Sequence, residues 1–280
     1  MAEPLDQALD LLRRLPPAAV AANLETIVAH CPALADDLYS AVDQPLAVRI
    51  DHSPEGAGRE YLACDYNRDA DSWRSPWSST YDPPLPPDEG DEAAAEGTQP
   101  SPELRRLEIL ANEAFGTYRQ LYFETGLSSV YLWDLDLAGA FAGVVLLKSD
   151  LAAGDVAGAW DSIHIFETSG SSKKPSYKLT STVMLRLGQT EKRGEAEGVQ
   201  LAGSLTRQAE ETAPCPEPGA HIANLGRMIE DMESKMRGQL QNVYFGKTTD
   251  ILNSVRSVES LEKKRKEREL QSELMGLWKR

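Results

Sequence analysis

The residues that most invite a chemical reading are Asp65-Tyr66-Asn67-Arg68-Asp69-Ala70-Asp71, whose side-chain oxygens alternate as in an EF-hand calcium loop. Such a loop needs glycine where Ala70 stands and a bidentate glutamate where Pro76 stands, so a hydrogen-bonded loop is the better reading. Gly246-Lys247-Thr248 has the ending of a phosphate-binding P-loop, but the first glycine would fall at Gln241, and the segment follows a helical pattern instead of a strand. Ser171-Ser172-Lys173-Lys174 fits the SxxK of acyl transferases, yet it sits in a turn beside Pro175 without its partner motifs. His30, His52, His164 and His221 are far apart and form no HxxxH or HExxH, so they read as capped or half-buried imidazoles and not as metal ligands. GxSxG and GxGxxG do not occur. Catalysis, metals and cofactors find no foothold, and the chain reads as a binding protein, not an enzyme.

Charge narrows the partners. The 280 residues carry 44 acids against 29 bases, a net charge of −15, and a chain so acidic is repelled by nucleic-acid phosphates. Hydrophobic residues make up 41%, enough to build a core and to exclude wholesale disorder. No apolar run approaches the roughly 20 residues that span a bilayer, and Met1-Ala-Glu-Pro-Leu-Asp6 lacks the basic-then-apolar pattern of a secretory leader. Cys31, Cys64 and Cys215 are widely spaced and form no CxxC, the pattern of free thiols in the cytosol.

The elements follow from periodicity. Residues 1–43 predict three short helices: Leu5, Leu9, Leu12 and Leu15 keep a three-to-four spacing up to Pro16-Pro17, Pro17 suits the first turn of a second helix with Val20, Leu24 and Ile27, and Leu34, Leu38 and Val42 mark a third after Cys31-Pro32. Residues 59–84 predict an irregular, aromatic-rich loop pinned to a surface, and residues 86–102 an acidic, solvated linker. Ser101-Pro102 caps a helix whose apolar stripe is Leu104, Leu107, Ala111, Ala114, Tyr118 and Leu121, ending at Gly126. The period then changes to two. Runs 128–134, 141–148, 159–168, 176–187 and 199–207, separated by short turns, predict five antiparallel strands within 128–207. A long helix over 220–245 carries Ile222, Leu225, Ile229, Met232, Met236, Leu240 and Val243 and would cross such a sheet. The fold class is α+β.

Residues 247–280 differ in character, with nine bases to six acids. A fully charged run, Glu262 to Glu269, leads into Leu270, Leu274 and Leu277, with Trp278 beside them: an amphipathic helix beyond a charged stretch. Burying three leucine-sized side chains is worth on the order of 5–8 kcal/mol before ordering costs. Such a tail fits a groove on another protein; a coiled-coil end, a helix docked on its own domain and an anionic membrane surface fit it too. On the long helix, Lys235 and Arg237 follow acids and read locally as a solvated face.

Several longer strings carry a resemblance. Cys64-Asp-Tyr-Asn-Arg-Asp69, Arg74-Ser-Pro-Trp77, Tyr81-Asp-Pro-Pro84, Ser128-Ser-Val-Tyr-Leu-Trp-Asp-Leu-Asp136, Trp160-Asp-Ser-Ile-His164, Tyr177-Lys-Leu-Thr-Ser-Thr-Val-Met184, Gly203-Ser-Leu-Thr-Arg-Gln208, His221-Ile-Ala-Asn-Leu-Gly226 and Tyr244-Phe-Gly-Lys-Thr248 resemble the β subunits of F-actin capping protein, over nearly the whole chain. The resemblance implies a body over 1–246, with a three-helix stalk, a five-stranded antiparallel sheet and a long helix over it, followed by a C-terminal amphipathic tentacle over 247–280. It implies an obligate heterodimer with an α subunit, the two sheets joining into one. The heterodimer would bind filament barbed ends without calcium and block subunit addition and loss, in the cytoplasm and cytoskeleton. The tentacle residues Leu270, Leu274, Leu277 and Trp278 would grip actin, and the basic pair Lys235 and Arg237 would meet its acidic end. Arg14, Asp43 and Tyr81 match stalk positions that bind regulatory peptides. The resemblance also extends to the actin-related filament of dynactin and to phosphoinositides as partners. Here the turns at 137–140 and 190–198 and the linker 86–102 depart from the family pattern, and Gly276 lowers helix propensity near the tail's tip by about 1 kcal/mol relative to Ala.

Overall fold

A computed structural model describes residues 4–12, 15, 19–85, 99–137, 139–153, 156–171, 173–189 and 201–242. The chain divides into two units, Met1–Glu233 and Ser234–Arg280, and the division falls inside the last described helix.

Five strands, β6 (Leu127–Asp134), β7 (Phe141–Ala153), β8 (Val156–Ser171), β9 (Lys174–Gln189) and β10 (Leu201–Thr212), form an antiparallel meander in the spatial order β10-β9-β8-β7-β6. One line of the register runs Leu146, Ile163, Thr182, Thr206, and the next runs Val145, His164, Ser181, Arg207. Alternation therefore gives the sheet two chemically distinct faces. On one, Tyr131, Val144 and Leu146 are buried with Leu46 and Leu62, and Ile163 and Ile165 pack against them. On the other, Val130, Leu132, Val145 and Phe166 meet α4 (Pro102–Tyr122) and α5 (Ala220–Gln241) through Leu107, Ala111, Phe115 and Leu225. Gly143 is required on this second face, because a Cβ there would lie 2.5 Å from Leu132 Cδ2 and 2.6 Å from Phe166 Cζ.

Ser101 caps α4, its hydroxyl accepting from the Leu104 amide, and Pro102 opens the helix. The inward face of α4 differs from the predicted stripe. Leu104, Leu107, Glu108, Ala111, Asn112 and Phe115 are buried, whereas Ala114 is exposed and Leu121 is 73% exposed. The physical reason is that α4 lies along the edge of β6 and meets its backbone, which calls for polar groups on the inward side. The helix ends at Tyr122, four residues before Gly126. The end of the expected linker is held: Gln99 bonds Ser79, and the Ser101 amide and hydroxyl both donate to Asp134.

The N-terminal residues form α1 (Pro4–Leu12), α2 (Val20–His30) and α3 (Ala35–Ala41), three short helices that touch one another. Leu24 and Leu38 are fully buried, but no residue of α1 is, so its leucine stripe stays half covered. Pro17 lies outside the described residues, and α2 starts at Val20. Residues 47–82, including the predicted irregular loop, form two small antiparallel sheets: β1 (Ala47–Ile50) with β2 (Glu60–Ala63), and β3 (Arg68–Asp69), β4 (Ser72–Arg74) and β5 (Tyr81–Asp82). Guanidinium groups stack on the aromatics there, Arg49 lying 3.5 Å from the centre of Trp73 and Arg59 4.4 Å from that of Trp77. The Asn67 carboxamide turns inward, accepting from the Cys64 amide and donating to the Arg74 carbonyl, so the EF-hand-like string is organised by hydrogen bonds. Among the described residues, no helix is long and apolar enough to cross a membrane.

Candidate binding surfaces: a one-ended sheet and the basic end of the long helix

An antiparallel sheet has two edges, and each exposes unpaired backbone groups unless something covers them. At the β6 edge the cover is made of side chains. The Asn112 carboxamide accepts from the Val130 amide and donates to the Val130 carbonyl, both at 2.9 Å, as a neighbouring strand would. One turn earlier, Glu108 Oε2 accepts from the Leu132 amide at 2.7 Å. Glu108 is fully buried, and Arg74 holds it by two parallel bonds of 2.9 and 2.8 Å, with Arg105 as a further cation. Burial opposes the charge on Arg74, but Glu108 outweighs it and raises the guanidinium's pKa further. On the opposite strand face, the Tyr131 hydroxyl donates to the Leu62 carbonyl and the Ser129 hydroxyl accepts from the Leu62 amide.

The β10 edge has no such cover among the described residues. Its twelve residues pair with β9 alone, and Ser204, Thr206, Arg207, Gln208 and Glu210 are exposed. Among the described residues the sheet is therefore one-ended, closed at β6 and open at β10. Beside the open end, a cavity of about 390 Å³ lies between the N-terminal helices and β9–β10, lined by Leu9, Leu12, Asp43, Pro45, Arg186 and Gly203 among others.

The long helix α5 carries the second surface. Leu225, Ile229, Met232, Met236 and Leu240 are buried, as their spacing predicts, Met228 is buried beside them, and Lys235 and Arg237 are exposed near its C-terminal end. Within the first unit the helix is fixed by polar contacts. Asn224 bonds Tyr177 and the Pro214 carbonyl, Arg227 pairs with Glu211, and Tyr122 donates to Glu230. Glu233 is buried, and accepts from Ser162 Oγ at 2.7 Å, Tyr118 Oη at 2.7 Å and His164 Nε2 at 3.1 Å. Burial works against the carboxylate, but these donors outweigh it and hold its pKa below the usual range. The Tyr118 hydroxyl is pushed up, first by burial and then by Glu233.

The F-actin capping protein beta-subunit model matches residues 5–252. The chain belongs to the F-actin capping protein beta-subunit family. It is 50% identical over 284 residues to the F-actin-capping protein subunit beta of Gibberella zeae, with 98% of each chain covered. It is also 50% identical over 272 residues to that of Caenorhabditis elegans, covering 96% of this chain and 95% of the relative. A similar fold is seen in the homodimeric actin capping protein alpha subunit from Plasmodium berghei, with a TM-score of 0.56 at 12% identity, over 91% of this chain and 96% of the other.

Set against this beta-subunit family, the expected site residues separate into three groups. Leu270, Leu274, Leu277, Trp278 and Arg14 lie outside the described residues. Lys235 and Arg237 are both exposed near the C-terminal end of α5. Asp43, exposed after α3, lines the cavity, while Tyr81 is half-buried in β5 opposite Arg74 and is not part of that lining. Glu108, Asn112 and Glu233 were not singled out in the sequence. Their signal is a polar residue at a position where the helical stripe calls for an apolar one.

Proposed function

We propose that this chain is the beta half of a heterodimeric cap on the barbed end of actin filaments, acting by occupancy, without chemistry. The observation that carries this reading is the family match over residues 5–252, with near-full-length relatives bearing that name. The partner is an alpha subunit, and the open β10 edge is where we expect its sheet to join. An open edge offers main-chain hydrogen bonds and register together. The three N-terminal helices then serve as a stalk whose half-covered leucine stripe gains cover from the partner. Lys235 and Arg237 supply the electrostatic encounter with actin's acidic end. Leu270, Leu274, Leu277 and Trp278 form the tentacle that holds it. Arg14, Asp43 and Tyr81 are assigned to regulatory peptides. Phosphoinositides and the dynactin filament are further ligands of the same basic and apolar surfaces. The working place is the cytoskeleton of the cytoplasm.

The test is seeded pyrene-actin elongation with the purified heterodimer. Full-length protein should stop barbed-end growth equally in calcium and in excess chelator. Truncation after Ser260 should leave the heterodimer assembled and speed its release from ends; unchanged capping would refute the tail assignment. Charge reversal of Lys235 and Arg237 should slow association more than it speeds release.

A further inference from the structure

The sheet carries a buried charge cluster that the surfaces above leave unexplained. Lys148 on β7 stands directly opposite Asp161 on β8, with its Nζ 2.8 Å from Asp161 Oδ1. Asp161 is fully buried, and its Oδ2 accepts no hydrogen bond. Arg186 on β9 approaches that oxygen with Nη2 at 3.7 Å, outside hydrogen-bond reach. Its Nε is buried and unpartnered as well. Among the described residues this guanidinium, with five N–H donors, makes no hydrogen bond. One buried carboxylate therefore faces two cations. Asp150, 3.6 Å from Lys148, is mostly exposed and offsets little of the charge inside. Asp43 is exposed and makes no ion pair with Arg186. The cluster is left with one positive charge in excess, on Arg186.

Arg186 is also within reach from outside. Its side chain is 32% exposed and lines the cavity of about 390 Å³ between the N-terminal helices and β9–β10. Its register partners on the two flanking strands are Ala159 and Ala202, so only an alanine separates it from the β10 edge. Leu9, Leu12, Pro45 and Met184 supply apolar wall around it. A guanidinium with idle donors in such a wall fits a carboxylate, which it can hold by two parallel bonds, carried on an apolar segment. Ala202, Gly203 and Ser204 of the open β10 edge belong to the same wall, which selects the subunit joining that edge as the source.

We propose that Arg186 is a recognition residue for the alpha subunit, receiving in this cavity a carboxylate carried on an otherwise apolar segment of that subunit. This rests on the heterodimer reading above. The partner's carboxylate balances the second cation of the cluster, and the apolar segment covers the leucines of α1.

The experiment treats the full heterodimer carrying Arg186→Lys with a carbodiimide, which joins an ammonium to a carboxylate in direct contact. The expected result is a crosslink from position 186 to an aspartate or glutamate of the alpha subunit, located by mass spectrometry and absent from wild type. No crosslink from position 186, or crosslinks only to this chain's own carboxylates, Asp43 and Asp161 included, overturns the proposal. In parallel, Arg186→Met should speed exchange of alpha subunits between heterodimers about tenfold or more, whereas exchange within about twofold of wild type overturns it. If neither variant assembles, phenylglyoxal modification is read on the wild-type heterodimer. Arg106, which is exposed, should react while Arg186 is spared, and a reactive Arg186 in the intact heterodimer overturns the proposal. A wild-type chain that captures no alpha subunit on co-expression would instead refute the heterodimer reading itself.

Discussion

Removal of the Glu108 side chain is the sharpest probe of how this fold closes one end of its sheet. Glu108→Ala would leave the Arg74 guanidinium, whose side chain is only 4% exposed, without its carboxylate and with the Ser79 Oγ hydrogen bond at 3.1 Å. It would also strip the Leu132 amide of its acceptor. Breaking a buried pair by deleting one member costs about 3–5 kcal/mol, and an orphaned amide about 1–3 kcal/mol. The two overlap, so a loss of about 4 kcal/mol or more is expected, or about 10 °C in melting temperature for a body of this size. The assay is thermal unfolding of the heterodimer, followed by circular dichroism. Arg74→Met/Glu108→Leu should be less damaging than Glu108→Ala, because it removes the stranded charge and leaves only the amide unmet. A second signature is association that grows with protein concentration, since β6 would present unpaired backbone. A melting temperature within about 2 °C of wild type for Glu108→Ala, or a double variant worse than both singles combined, would refute the assignment of Glu108 as the seal of this edge.

Three further outcomes can be checked. Gly143→Ala should cost about 1–3 kcal/mol in urea unfolding, since its methyl group meets Leu132 and Phe166 at overlapping distance; a neutral result would mean that the α4–α5 face is loosely packed. Asp51 is buried, which disfavours its charge, but hydrogen bonds from Ser53, Ser75 and Ser78 outweigh this and bring its pKa from 3.8 to about 2. Because the folded value is the lower one, the stability Asp51 contributes is complete above about pH 4 and disappears as pH falls toward 2. The stability gap between wild type and Asp51→Asn should therefore narrow over that window and remain flat above it. Expressed without an alpha partner, the chain should be insoluble or aggregated, because among the described residues the β10 edge is uncovered and the α1 leucines are only half covered; a stable soluble monomer would count against an obligate dimer.

Much of the fold is legible because local rules agree with it. The alternation in Tyr177–Leu187 and the three-four spacing from Leu225 to Leu240 each had a single sensible element, and both appear. Turns were harder. Ser169-Gly170-Ser171 looks like a loop, yet the ladder continues through Gly170, at φ +87°, to the Ser171–Lys174 pair, which only a long-range register can decide. The short strands of residues 60–82 have no period long enough to read, and exist because Arg74, Trp73 and Trp77 are tied to distant groups. The inward polar residues were hidden for a different reason. Glu108, Asn112 and Glu233 each carry a side chain that statistics place in solvent, and only the arrival of a strand backbone or a histidine–serine pair explains their burial.

Those three residues also share a logic that ties the fold to its use. A five-stranded meander built by hairpins is nearly symmetric in its two edges, and hydrophobic burial alone does not say which edge should receive a partner. Glu108 and Asn112 bear on this chemically: they occupy the β6 amides and carbonyl that a visiting strand would need, which leaves β10 as the open edge among the described residues. On α5, Glu233 ties the helix to α4 and β8 by accepting three hydrogen bonds, from Tyr118, Ser162 and His164. In both places a costly buried carboxylate is used where apolar packing would hold the elements together but leave their geometry undecided. A protein that works by presenting surfaces depends on such decisions more than on the total stability of its core.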